Sequence, residues 1–204
     1  MKRQIIAVDI DDVLSSQVDI IIEFSNQKYG LNLSHKDFST PGEYWGYYEK
    51  VWGVGEEEGA KRFEEFLAGM YPLTQVVSPE AKDAIQRLKK SYDLEIVTSR
   101  GVDYQNGTLQ WLEDQVPDVF KGVHFVALWG NGNEKATKAK ICQEIGAGYL
   151  IDDSVEHCNL AAEAGVTALL FGEWGWSKAQ HIHKDVVRVV DWREVLEYFD
   201  DRRH

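Results

Sequence analysis

Ile5-Ile6-Ala7-Val8 is apolar at every position, and Asp9 stops it, with Asp11 and Asp12 close behind. A strand with one wet face alternates apolar and polar residues. A run without alternation must be covered on both sides, as strands of a parallel sheet between helices are. Runs of the same kind return at Leu94–Val97, Val123–Ala127, Tyr149–Ile151, Thr167–Phe171 and Val186–Val190. Helical patterns lie between them. Ser78 caps one, with Pro79 at its first position and Ala81, Ala84, Ile85 and Leu88 on one face. A second places Ile141, Cys142 and Ile145 together and ends at Gly146, and a third runs from about Val155 to Ala164 and stops at Gly165. The last opens with Asp191, has Glu194 three residues on, and buries Trp192, Val195, Leu196 and Phe199.

This alternation predicts an α/β fold, a Rossmann-like three-layer sandwich with a central parallel sheet. One segment breaks the pattern. From Ser15 to Gln75 there is a helical stripe (Val18, Ile21, Ile22, Ser25, Tyr29), then Pro41-Gly42-Glu43-Tyr44-Trp45-Gly46-Tyr47-Tyr48, then an acidic helix with Ala60, Phe63, Phe66 and Leu67. No strand candidate of similar quality occurs there. A chain of 204 residues accommodates one domain with a modest insertion. The expected organisation is a catalytic core of residues 1–14 and 76–204, with a helical cap of residues 15–75 inserted after the first strand. Aromatic residues make up 11 of the 61 residues of that insertion, against 12% of the whole chain.

Charge and composition narrow the function. Lys and Arg number 22 and Asp and Glu 34, a net charge of −12 that disfavours polymeric nucleic acid as a partner. No apolar run approaches the roughly 20 residues of a membrane-spanning helix, so no membrane partner is expected. Four apolar residues behind Met1-Lys2-Arg3 are too few for a secretory signal. Two cysteines, Cys142 and Cys158, form no disulfide framework and suit a reducing cytoplasm, the expected location. A small phosphorylated ligand held by a metal is compatible with the charge.

Chemistry-bearing residues gather where the apolar runs end. In an open parallel sheet the strand carboxyl ends form the ligand crevice. Asp9, Asp11 and Asp12 follow the first run, Thr98-Ser99-Arg100 the second, and Asp152-Asp153 the fourth. Clustered acids repel and lose hydration, which a cation or proton relieves, although Asp also serves as a plain helix cap. Lys135, Lys138 and Lys140 lie ahead of or just inside a helix, and a single lysine there is most often solvated. Together these residues supply acids for a hard divalent cation, and a hydroxyl and an ammonium for phosphate.

Asp9-x-Asp11-x-Val13-Leu14, then Thr98, a lysine, and Asp152-Asp153 resemble, in order and spacing, the four motifs of the haloacid dehalogenase-like superfamily, across nearly the whole chain. The Thr98-Ser99-Arg100 turn, the helical insertion and Leu150-Ile151-Asp152-Asp153-Ser154 look most like the 5′(3′)-deoxyribonucleotidase-type phosphatases. The resemblance implies that Asp9 is the nucleophile carrying an aspartyl-phosphate, and that Asp11 protonates the leaving oxygen and then activates water. It implies that Thr98, with Ser99 beside it, and the motif lysine hold the phosphoryl group. It further implies that Mg2+ is bound by Asp9, the Asp11 carbonyl and Asp153, with Asp152 orienting the lysine or a metal-bound water. Lys138 fits the motif lysine, one position after the N-cap candidate Thr137; Lys135 competes if the helix starts at Asn133. Arg100 either touches substrate or makes a structural salt bridge, and Asp12 is read as a capping or supporting acid.

The implied activity is magnesium-dependent hydrolysis of a phosphomonoester, a nucleotide or another small phosphorylated metabolite. A sugar phosphate, or a non-catalytic phospholigand-binding role, is the alternative. Asp11 argues against a haloacid dehalogenase, and a second acidic pair after the lysine argues against a phospho-receiver domain. Tyr44, Trp45 and Tyr47, with Tyr48, either stack on the leaving group or pack the cap. His181 and His183 read as loop histidines, Cys142 as a small buried hydrophobe, and Trp174-Gly175-Trp176, which follows the fifth strand, either as near the crevice rim or, more plainly, as packing against the last helix.

Overall fold

A computed structural model describes residues 3–44, 46–69, 73–128, 137–178 and 181–202. Trp45 and Lys135 lie outside the described residues.

Six strands form one parallel sheet: β1 (Ile5–Val8), β2 (Asp93–Thr98), β3 (Phe120–Phe125), β4 (Ala147–Asp152), β5 (Thr167–Phe171) and β6 (Val187–Val189). Their order is β3-β2-β1-β4-β5-β6. The chain winds outward from β1 in one direction and resumes on its other side at β4, so a topological switch point lies beside β1.

Strand residues alternate between two apolar layers. Ile6, Val8, Leu94, Ile96, Ile151 and Leu169 pack on one face with residues of α4 (Pro79–Leu88), α5 (Gln105–Gln115) and α8 (Trp192–Asp200). Ile5, Ala7, Val97, Leu150, Ala168 and Leu170 pack on the other with α6 (Lys138–Ile145) and α7 (Val155–Glu163). The architecture is the expected α/β three-layer sandwich. Cys142 is fully buried in the second layer.

Local chemistry sets the helix ends. Ser78 accepts from Ala81 N–H, with Pro79 at the first helical position, Thr137 from Lys140 N–H, and Ser154 from His157 N–H. Gly146 ends α6 in the left-handed region at φ 73°, where a Cβ would be strained. Asp191 caps α8 by accepting from Glu194 N–H, and Glu194 accepts in return from Val190 N–H.

Residues 15–75 contain α1 (Gln17–Tyr29), a 3-10 turn at His35–Phe38, α2 (Tyr47–Trp52) and α3 (Glu56–Ala68). They have their own buried cluster of Val18, Ile21, Phe24, Phe38, Tyr47, Trp52 and Phe66. Trp176 joins this cluster, which corrects the expected packing of Trp174-Gly175-Trp176 against the last helix: the loop after β5 turns toward the aromatic segment instead. The two crossings of this segment are tied, because the Ser15 hydroxyl donates to the Gln75 side chain. Among the described residues no helix is long and apolar enough to cross a membrane.

Candidate active site

β1 lies between β2 and β4, so the residues leaving these three strands meet. Asp9 N–H still donates to the Ile151 carbonyl at 3.0 Å, which keeps Asp9 beside Asp152. Past Asp9 the chain closes a compact loop. The Leu14 and Ser15 N–H groups both donate to the Ile10 carbonyl, and Asp12 N–H donates to the Ser15 carbonyl. Ile10, Val13 and Leu14 are buried beneath it. Asp12 takes φ 58°, a left-handed conformation that Asp tolerates better than most residues. Its Oδ1 accepts from Val18 N–H at 3.0 Å, so Asp12 supports the start of α1.

Lys138, at the first turn of α6, is buried and reaches Asp9 Oδ2 at 2.8 Å and Asp152 Oδ2 at 2.7 Å. Burial alone would lower its pKa, but the charges of Asp152 and Asp9 outweigh that and hold it above the ordinary lysine range. Asp152 is desolvated too, yet Lys138 and His157 hold it below the usual carboxylate range; His157 Nδ1 lies 3.1 Å from Asp152 Oδ1. Asp9 is pushed up to about 6, first by burial and then by Asp152 and Asp11, with Lys138 opposing.

Asp153 receives the Trp176 indole N–H at 2.6 Å on Oδ2. Burial and the charges of Asp152, Asp12 and Asp9 hold its carboxyl well above its usual range. Asp9, Asp152 and Asp153 are all buried and each offers an oxygen within 4.8 Å of the others. Among the described residues Lys138 pairs with two of these three carboxylates, Asp9 and Asp152. Hard oxygen donors with surplus negative charge fit a divalent cation such as Mg2+.

Asp11 is set apart from this cluster. Arg100 clamps it through Nε to Oδ2 at 2.9 Å and Nη2 to Oδ1 at 2.7 Å, and Gln75 Nε2 adds a bond to Oδ1 at 3.0 Å. Burial works to raise its pKa, but the Arg100 charge and hydrogen bonds prevail and hold it below the usual range. Arg100 is itself fixed by α5, since Nη1 donates to Thr108 Oγ1 and the guanidinium lies 5.2 Å from the Trp111 ring centre.

Thr98 is fully buried at the end of β2, and its Oγ1 accepts from Arg100 N–H at 3.2 Å; Ser99 is exposed. Tyr44 is 40% exposed and meets Trp176 edge-on at 6.0 Å. Its hydroxyl is nevertheless desolvated, and with Tyr48, Asp153 and Asp9 disfavouring further negative charge it stays protonated well above the usual phenol range. Tyr47 is buried, stacked on Phe38 and edge-on to Trp176, and its hydroxyl donates to the Thr40 carbonyl.

Sequence reading did not find Gln75, His157 or α5, and it set Trp176 near the crevice rim only as the lesser of two readings. Gln75 and Trp176 belong to no motif. His157 is recognisable only once α7 is seen to start at Val155 beside Asp152. α5 starts without a side-chain cap and buries only Thr108, Trp111 and Leu112, which leaves a faint amphipathic pattern.

Solved structures of similar fold include a predicted phosphatase from Clostridium acetobutylicum (TM-score 0.63, 13% identity, covering 98% of this chain and 100% of that one). A haloacid dehalogenase-like hydrolase from Streptococcus pneumoniae aligns with a TM-score of 0.62 at 17% identity, covering 97% and 98%. A putative hydrolase of the same class from Bacillus subtilis, bound to magnesium, aligns with a TM-score of 0.63 at 14% identity, covering 98% and 100%. No curated protein matched the sequence. The family model for 5′ nucleotidase, deoxy (pyrimidine), cytosolic type C protein matches residues 3–200. With nearly the whole chain inside that match and the acids, hydroxyl and lysine assembled at one sheet edge, the protein belongs to this nucleotidase family of haloacid dehalogenase-like phosphatases.

Proposed function

We propose that the protein hydrolyses a small phosphomonoester, a nucleotide foremost, through an aspartyl-phosphate on Asp9, with Mg2+ as cofactor. The observation that carries this reading is the Asp9–Lys138–Asp152 contact chain, with Asp153 and Thr98 at adjoining strand ends. A carboxylate oxygen of Asp9 attacks phosphorus, and the ester oxygen leaves with a proton from Asp11. Water, deprotonated by Asp11, then cleaves the acyl phosphate and returns Asp9 to its starting form. Lys138, Thr98 and Ser99 are assigned to the phosphoryl oxygens, the first two buried and the third exposed. Asp9, Asp152, Asp153 and the Asp11 carbonyl would hold the Mg2+, which when bound neutralises charge between an anionic nucleophile and a phosphate dianion.

Asp11 donates and accepts protons only when its bonds to Arg100 loosen, so substrate phosphate competing for that arginine fits the reading. Residues 15–75 act as the cap, and the Tyr44 hydroxyl feels the charges of Asp153, Asp9 and Asp12, with Tyr47 contributing shape from within the packed cluster. Trp45 is proposed, on sequence grounds alone, to contact the leaving group. The family description and the two free cysteines favour a cytoplasmic setting. A panel of nucleotides, sugar phosphates and aryl phosphates, assayed with Mg2+ and with chelator, tests the reading. Nucleotide turnover that needs metal and disappears in Asp9→Asn is expected; wild-type rates in Asp9→Asn would remove the nucleophile.

A further inference from the structure

Trp176 lies outside every motif of the family resemblance, and its surroundings differ from those of an ordinary core tryptophan. Its indole N–H donates to Asp153 Oδ2 at 2.6 Å, and both residues are buried. Its ring meets Tyr47 edge-on at 5.0 Å, stacks on Trp174 at 5.6 Å, and meets Tyr44 and Tyr48 at 6.0 and 6.4 Å. Three of those four rings belong to the aromatic segment before and within α2. The loop carrying Trp176 is fastened to the same segment. Gly42 N–H donates to the Gly175 carbonyl at 3.2 Å, and Lys178 Nζ donates to the Ser39 carbonyl at 3.2 Å. Gly175 has no room for a side chain: a Cβ there would lie 1.9 Å from the Tyr47 hydroxyl and 2.1 Å from the Thr40 carbonyl.

We propose that Trp176 is a positioning residue that orients Asp153 for cation binding while residues 39–48 are seated on its loop, so that cap docking and metal affinity are coupled. This rests on the reading of Asp9, Asp152 and Asp153 as the metal site. A carboxylate held by a strong donor on one oxygen loses rotational freedom, and its other oxygen is presented in a fixed direction. Donors of this kind typically change metal affinity by about 10–100-fold. If residues 39–48 lift away, Trp176 loses three of its four ring partners among the described residues and is left with the stacking on Trp174 to keep the N–H aimed. Linkage makes the effect reciprocal, so cation binding tightens the seating of residues 39–48.

The test titrates Mg2+ alone into chelator-treated wild type, Trp176→Phe and Gly175→Ala by calorimetry, with melting curves to verify folding. Trp176→Phe keeps a ring but lacks the donor, and should weaken Mg2+ about tenfold. Gly175→Ala changes no polar group at the acids, and should weaken it by about threefold or more by unseating residues 39–48. Amide exchange over residues 39–48 should slow on Mg2+ addition in wild type and change little in Trp176→Phe. Unchanged affinity in either folded variant, or Mg2+-insensitive exchange in wild type, overturns the coupling. If Trp176→Phe fails to fold, Gly175→Ala and wild-type exchange still decide. Wild type that binds no Mg2+ fails differently, since it removes the metal site itself.

Discussion

At the strand ends Asp9, Lys138 and Asp152 form a chain of ionic contacts at 2.8 and 2.7 Å, whereas in residues 15–75 Phe24, Phe66, Phe63 and Tyr48 meet ring to ring at 5.5–5.9 Å. The ionic cluster is buried and the ring cluster buried or half-buried, and they respond differently to loss. Each charged group is there at a desolvation cost that its partner offsets, so removing one partner exposes the cost of the others. Ring contacts are less directional, and losing one leaves a cavity rather than an orphaned charge. The strand-end cluster is therefore built for position and residues 15–75 for shape.

Lys138→Met attacks the first region and should have the largest effect. Hydrolysis of an aryl phosphate should fall by about a thousandfold or more, because the phosphoryl-facing cation is gone. Asp9 and Asp152 would be left facing each other, costing about 3–5 kcal/mol in urea unfolding with chelator present. Near-wild-type stability would show that the contact chain carries little coupling.

Phe66→Ala attacks the second region. Phe66 is fully buried, so about 3–5 kcal/mol of stability should be lost, with faster amide exchange in α1 and α3. At saturating Mg2+, where a weakened metal affinity is masked, turnover of a small aryl phosphate should stay within about threefold of wild type. A collapse of that activity to the Lys138→Met level would erase the distinction.

Tyr44→Ala sharpens the border between them. If Tyr44 stacks on the leaving group, kcat/KM for a nucleotide should drop about tenfold and for a small ester hardly at all. Equal losses on both would place Tyr44 with the packing residues.

The smallest effect concerns sign. Burial, Asp152, Asp12 and Asp9 raise the folded-state pKa of Asp153 above its unfolded value. The stabilising contribution of such a group is complete below the unfolded value and disappears as pH rises through the folded one. In chelated protein, Asp153→Asn should therefore raise Tm at pH 8, by about 2–4 °C for each kcal/mol relieved, and not near pH 3. A lower Tm at pH 8 would mean that the cluster is not electrostatically frustrated without metal.

Legibility followed the same division. β1 and β5 begin and end where the apolar runs do, and Gly146 and Asp191 terminate or cap helices as their chemistry requires. The third run was less clear: β3 starts at Phe120, and Val126–Leu128 form a 3-10 turn rather than strand. α2 was hidden because it is six residues long between Gly46 and Gly53, both with positive φ, too short to show a period. Asp9, Thr98, Lys138 and Asp153 could be picked out because each ends a strand or opens a helix. Gln75 could not, and Trp176 only as the lesser of two readings, since a glutamine at a segment crossing and a tryptophan in a loop carry no spacing rule.

Unbroken apolarity of short β-branched runs, ended by acids, determined from sequence alone that a two-sided parallel sheet forms and that carboxylates stand at its carboxyl edge. Strand alternation and capping are local physics, readable within a few residues. Which donor meets which acid was decided by tertiary structure. Arg100 and Asp11 are 89 residues apart, Trp176 and Asp153 23, and Lys138 and Asp152 14. A long side chain can reach any of several acids, and only the placement of β1 between β2 and β4 selects the pairs that form.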